Sequence, residues 1–319
     1  MKVVVTGGTG FIGRPLVASF LDRGDEVTVL TRSKTGRLPA GVKAVTWPAG
    51  GPAASGEEGG IPPGEAESRW WEALDGADAV VHLAGESIAA RRWTPEQKER
   101  IRESRVQGTR VLVETLARVK RRPEVLVSGS AVGYYGPRGD EELTEADAPG
   151  QDFLSEVCTA WEREARQAEI LGMRVVLLRT GMVLERDGGA LPRMLLPFRW
   201  FAGGPFGSGR QWMSWIHRDD LVSLIRFLIA NKEARGPVNA VAPNPVTNLA
   251  FARTLGRMMR RPSRLAVPRA LLRLALGEMA EALLLSGQRA VPARALELGF
   301  SFKYAELETA LQAILKAGK

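Results

Sequence analysis

Residues 2–13 read Lys2-Val3-Val4-Val5-Thr6-Gly7-Gly8-Thr9-Gly10-Phe11-Ile12-Gly13. Val3 to Thr6 are all β-branched and the run stops at glycine, the pattern of a strand buried on both faces. From Phe11 to Arg23, the side chains of Ile12, Leu16, Val17, Phe20 and Leu21 fall on one helical face, and Gly24 closes the helix. Glu26 to Thr31 reads as a second strand, so the segment forms a βαβ unit. Its glycines fit both the Gly-x-Gly-x-x-Gly and the Gly-x-x-Gly-x-x-Gly spacings. In that setting they permit a tight turn, a close approach of backbone to a pyrophosphate, and helix–strand packing. The helix N-terminus adds free N–H groups and a partial positive charge. A plain glycine turn is the alternative, but the strand–turn–helix context favours a dinucleotide site.

The second strand runs out at Leu30-Thr31-Arg32-Ser33-Lys34. A site for NAD(H) usually places Asp or Glu there to hold the adenosine ribose. None is present, and Arg32 with Ser33 or Lys34 is suited to a 2′-phosphate through charge-assisted bonds. NADP(H) is therefore expected in preference to NAD(H), the alternative being that Arg32 is a solvated strand-end charge.

Strand and helix patterns continue to alternate. Strands are expected at Val42–Trp47, Ala79–Ala84, Val125–Ser128 and Arg174–Arg179, with helices at about Pro95–Lys120 and Leu154–Leu171. This order implies an α/β fold, a doubly wound parallel sheet with helices on both faces. Ala49 to Ser68, rich in glycine, proline and glutamate, reads as a mobile surface insertion with Trp70, Trp71 and Trp93 packed around it. After Gly181, Gly/Pro/Trp-rich loops alternate with short helices at Asp220–Ala230 and Leu249–Met259. Ala270 to Leu285 reads as one packed helix. The expected division is a Rossmann domain of residues 1–181 with about 216–243, and a smaller substrate-side lobe of 182–215 and 244–319.

Composition narrows the function. One cysteine, Cys158, and two histidines, His82 and His217, leave no set of thiols or imidazoles for a metal centre and no internal disulfide. The N-terminal apolar run is too short for a signal peptide, and no membrane span is visible. A reducing, cytoplasmic setting fits. The net charge of +8 raises nucleic-acid binding, but its basic clusters are short and carry no nucleic-acid motif. The same positive field attracts an anionic cofactor or substrate.

The chain resembles the extended short-chain dehydrogenase/reductase superfamily, in particular its epimerase/dehydratase group. The similarity runs nearly end to end, through Val81-His82-Leu83-Ala84-Gly85, Ser128-Gly129-Ser130-Ala131, Leu178-Arg179-Thr180-Gly181 and Trp215-Ile216-His217-Arg218-Asp219-Asp220-Leu221. Gly85-Glu86-Ser87-Ile88, Arg92-Trp93-Thr94, Gly133-Tyr134-Tyr135-Gly136 and Gly207-Ser208-Gly209-Arg210-Gln211 are similar to the atypical branch of "epimerase family" proteins. The resemblance implies a cofactor site at Gly7, Thr9, Gly10, Phe11, Ile12, Gly13, Thr31, Arg32, Ser33, Leu83, Ala84, Gly85, Glu86 and Ser128. It also implies a substrate side at Arg210, Gln211, Trp215 and His217, with Arg210 as an anion clamp. Asp219 or Asp220 is expected to N-cap the helix that begins near Leu221.

The superfamily's general acid is a tyrosine, followed four residues later by a lysine and four beyond that by a glutamate. Anchoring on Glu162 puts Cys158 at the lysine position and Leu154 at the tyrosine position, so the usual acid–base pair is missing. Ser130 stands at the superfamily serine. Tyr134 and Tyr135, in the loop that follows, are the candidate substitutes, with Ser130 and one tyrosine polarising a carbonyl. Packing is the alternative role for Tyr135, capping for Glu86 and loop ordering for His217. The leading expectation is an NADP(H)-dependent oxidoreductase acting on a small molecule, monomeric or homodimeric. The alternatives are a non-catalytic dinucleotide-binding sensor or division-related scaffold, and a nucleotide-sugar epimerase.

Overall fold

Alternate residues of each central strand enter opposite cores. Val3 and Val5, Val27 and Val29, Ala79 and Val81, Val125 and Val127, and Val176 and Leu178 face one side. Val4, Leu30, Val80, Leu126, Val175 and Leu177 face the other. This is the period-two side-chain geometry of a strand, applied to runs apolar at every position. The computed structural model describes residues 1–32, 38–47 and 70–316. The expected insertion at 49–68 and the positions of Ser33 and Lys34 lie outside the described residues.

The elements run β1 (Lys2–Thr6), α1 (Gly13–Leu21), β2 (Glu26–Thr31), β3 (Lys43–Thr46), β4 (Ala79–His82), α2 (Pro95–Leu116) and β5 (Val125–Ala131). They continue with β6 (Glu142–Leu143), α3 (Phe153–Ile170), β7 (Arg174–Thr180), β8 (Met182–Leu184), α4 (Leu191–Arg199), β9 (Trp212–Met213) and β10 (Trp215–His217). The last part holds α5 (Arg218–Ala230), β11 (Gly236–Ala240), β12 (Val246–Thr247), α6 (Asn248–Met259), α7 (Arg269–Leu276) and β13 (Arg289–Ala290). The main sheet has seven strands in the order β11-β7-β5-β4-β1-β2-β3, all parallel. α1 and α5 cover one face and α2 and α3 the other. This is a Rossmann-type doubly wound sheet, whose strand ends form the ligand crevice.

A further core joins α4, α6 and the last helix, Leu307–Lys316, around Leu195, Phe251, Leu255 and Leu311. The β8–β10 ladder separates it from the sheet core. Val183 and Ile216 point into the sheet core, whereas Leu184 and Trp215 point into the second.

Two local expectations, on the segment 270–285 and on the cap of α5, are corrected. The segment 270–285 is not one packed helix: α7 ends at Gly277, whose φ of 63° breaks it, and Leu271 and Leu274 lie exposed. Trp93 packs edge-on to Phe153 of α3 and donates Nε1–H to the Ile88 carbonyl. Helix α5 begins at Arg218, so His217 and neither aspartate is its N-cap, its Nδ1 accepting from the Asp219 amide at 3.0 Å. Among the described residues, no helix is long and apolar enough to cross a membrane.

Candidate functional site

The phosphate loop is shaped by close backbone contact. Gly7 has φ of 70° and lies against Leu83 and Ala84, where a Cβ would come within 2.8 Å of the Leu83 carbonyl carbon. A Cβ on Gly13 would overlap the Gly7 carbonyl oxygen, so the helix can start this close to the strand only with glycine there. The Gly10 amide closes the turn on the Gly7 carbonyl at 2.9 Å. Among the described residues, the amides of Phe11 and Ile12 have no acceptor, so they remain open to an anion at the start of α1. Phe11 lays its ring against Gly188 and Gly189, beyond β8. Thr9 is half-buried and Gly10 exposed. At the end of β2, Thr31 is half-buried and Arg32 exposed.

The turn after β4 is held from beneath. His82 is fully buried between Thr6 Oγ1 (2.7 Å from Nδ1) and Thr109 Oγ1 (3.0 Å from Nε2). Burial pushes its pKa down to about 4, so the ring is neutral. Thr6 Oγ1 also accepts from the Ala84 amide at 3.2 Å, fixing the chain as it enters Gly85. Glu86 is held through its backbone, its amide donating to Ser104 Oγ and its carbonyl accepting from Arg105 Nη1. Burial pulls Arg105 below the ordinary arginine value, with Cys158 and Glu86 opposing. Ser128, midway along β5, is fully buried.

Ser130 and Arg179 are cross-strand neighbours on β5 and β7. Ser130 Oγ donates to Glu162 Oε1 at 2.7 Å. Arg179 grips the same carboxylate with Nε at 2.8 Å and Nη2 at 2.9 Å. Burial works against the Arg179 charge, but Glu162 more than offsets it and holds the guanidinium above its ordinary value. Arg179 Nη1 also donates to the Tyr135 hydroxyl at 3.1 Å, which in turn donates to Asn239 Oδ1 at 2.7 Å. Tyr135 has no exposed surface. Burial, partly countered by Arg179, pushes its phenol up to about 12. Both hydrogen-bonding capacities of the Tyr135 hydroxyl are thus engaged inside the protein.

Tyr134 differs. Its half-buried ring lies under the Arg179 guanidinium, 3.4 Å from the centroid. Among the described residues its hydroxyl has no hydrogen-bond partner. Leu154 approaches Gly133 in this turn. Cys158 is buried, and its thiol is pushed up to about 12 by burial and then by the Glu162 charge. That position offers neither a cation nor a thiolate.

The substrate-side candidates separate. Trp215 is wholly buried and donates Nε1–H to the Asn244 carbonyl. His217 is stacked on Tyr304 at 3.9 Å between ring centroids, and burial lowers its pKa. Gln211 staples its loop through the Phe206 and Leu284 carbonyls. All three side chains are engaged within the fold, and of the four candidates only Arg210 stands exposed. Sequence reading does not single out Arg179, Asn239 or Arg105. The available signal is an arginine closing the apolar run Val175–Leu178.

A parallel doubly wound sheet with a glycine loop at β1 and a serine at the end of β5 defines a protein of the extended short-chain dehydrogenase/reductase type. The NAD dependent epimerase/dehydratase family model matches residues 3–242, and a domain of unknown function, DUF1731, matches 267–314. The chain belongs to the NAD dependent epimerase/dehydratase family. It is 44% identical to the chloroplastic epimerase family protein SDR39U1 homolog of Arabidopsis thaliana, over 99% of this chain and 87% of that one. It is 38% identical to the epimerase family protein YfhF of Bacillus subtilis, over 99% of this chain and 98% of that one. The crystal structure of human epimerase family protein SDR39U1 with NADPH superposes with a TM-score of 0.83 at 33% identity, covering 99% of each chain.

Proposed function

We propose that this chain binds NADP(H) and works as an oxidoreductase on a small carbonyl- or hydroxyl-bearing molecule. The observation that carries the cofactor reading is the open Phe11 and Ile12 amides above the Gly7–Gly13 turn, with Arg32 and no acid at the end of β2. The human relative's structure with NADPH supports it. Bound there, the nicotinamide supplies or accepts hydride. The α1 N-terminus would hold the cofactor's phosphates, and Arg32 would hold the 2′-phosphate. Tyr134 brings the free hydroxyl that polarises the substrate oxygen, while Ser130 is turned onto Glu162. A monomer or homodimer in a cytoplasmic setting completes this reading, supported by a lone, buried cysteine.

The test is a titration with NADPH and NADH, followed by energy transfer from tryptophan, with Arg32→Glu alongside. Tight NADPH binding that Arg32→Glu abolishes supports the site. Weak binding of both nucleotides overturns it. A second reading, cofactor binding without turnover, is favoured by Leu154 and Cys158 at the acid–base positions. A panel of carbonyl compounds that leaves NADPH unoxidised would select it.

A further inference from the structure

Several arginines of the α2–α3 layer and the sheet ends have a carboxylate partner. Arg179 faces Glu162, Arg110 faces Glu164, and Arg218 faces Glu185 and Asp187. Arg105, on α2, does not: among the described residues no carboxylate oxygen lies within ion-pair distance of it. Only its Nη1 is engaged, donating to the Glu86 and Ile101 carbonyls, each at 3.0 Å. Its Nε and Nη2 hydrogens have no acceptor among the described residues.

The position is specific. The guanidinium lies over the Trp161 ring, 5.2 Å from the centroid, and its carbon is 3.3 Å from where a Cβ on Gly85 would sit. Gly85 follows Leu83 and Ala84, the residues on which Gly7 rests. The phosphate loop, the turn after β4 and Arg105 are thus in unbroken succession across the carboxyl ends of β1 and β4. Arg105 is half-buried, and Glu86 acts on it only from beyond ion-pair distance, so oxygen acceptors that complete its shell are favourable. A guanidinium presents paired donors in a fixed fork, the geometry that two neighbouring oxygens accept.

We propose that Arg105 is a cofactor-binding residue whose free Nε and Nη2 donors take the hydroxyls of the nicotinamide-side ribose. This rests on the NADP(H) reading above. Cys158, on the facing helix α3, is an uncharged thiol at neutral pH, so Arg105 is the cation of this corner. A diol beside Gly85 meets two donors already aimed by the Glu86 and Ile101 carbonyls.

The test compares two probes on the full-length chain. NADPH carries both riboses, whereas 2′,5′-ADP carries the adenosine half with its 2′-phosphate and lacks the second ribose. Binding of each to the unaltered protein and to Arg105→Met is measured by calorimetry. The expected result is NADPH weakened about ten- to a hundredfold, with 2′,5′-ADP unchanged. Retained 2′,5′-ADP binding also shows that the variant is folded. Unchanged NADPH binding, or equal losses for both probes, overturns the assignment. If the unaltered protein binds neither probe, the NADP(H) reading itself falls and this assignment with it.

Discussion

Ser130 Oγ and Arg179 Nε meet on a single atom, Glu162 Oε1, at 2.7 and 2.8 Å. A serine that in other circumstances is open to substrate is thereby tied into a buried ion pair. Removing one member of such a pair leaves the other charged and enclosed. Glu162→Gln is expected to lose about 3–5 kcal/mol of stability, and Ser130→Ala about 1 kcal/mol. Urea unfolding of both variants checks this, and equal small losses would contradict the geometry.

The two adjacent tyrosines are expected to behave oppositely. Tyr135→Phe leaves Asn239 Oδ1 and one Arg179 donor unpaired in the interior, at a cost of about 1–3 kcal/mol. Tyr134→Phe removes a hydroxyl with no partner and is expected to leave the melting temperature within about 2 °C. If turnover of a carbonyl substrate is found, Tyr134→Phe is the variant expected to reduce it, by about a hundredfold or more.

Acid should act through His82. Its pKa is about 4 in the folded chain and about 6.5 unfolded. Between those values the unfolded state binds more protons. Stability contributed by the neutral ring is complete above about pH 6.5 and is lost as pH falls toward 4, by about 3 kcal/mol in all. His82→Gln is expected to flatten that slope in chemical-denaturation curves measured from pH 7 to pH 4. An unchanged slope would assign the acid sensitivity to other groups.

Cys158 is expected to resist thiol reagents. With its thiol buried and its pKa pushed up to about 12, almost no thiolate exists at neutral pH. Ellman's reagent should label no cysteine in the native chain and one after unfolding. Fast native labelling would mean that α3 opens locally.

The sheet and the phosphate loop were legible because their signals are local. Continuous β-branched runs, a glycine triplet and an amphipathic helix lie within about thirty residues. Strand and helix limits fell within a few residues for the same reason. The Ser130–Glu162–Arg179–Tyr135–Asn239 chain was not legible. Its members sit on two strands, a helix, a turn and the sheet edge, and only the closed fold makes them neighbours. His217 as a helix cap was hidden for another reason. Asp219 and Asp220 carry the usual capping side chains, but Asp220 is turned inward to accept the Lys303 and Tyr304 amides.

The β8–β10 ladder gives the molecule a party wall. Val183 and Ile216 furnish one room while Leu184 and Trp215 furnish the next, and the chain passes through that wall more than once. No single cut of the polypeptide can free either side intact. A chimaera with a relative must therefore exchange 182–184 and 215–217 together, along with whatever each faces. Swapping only the segment after residue 243 would set one parent's tenants against the other's partition.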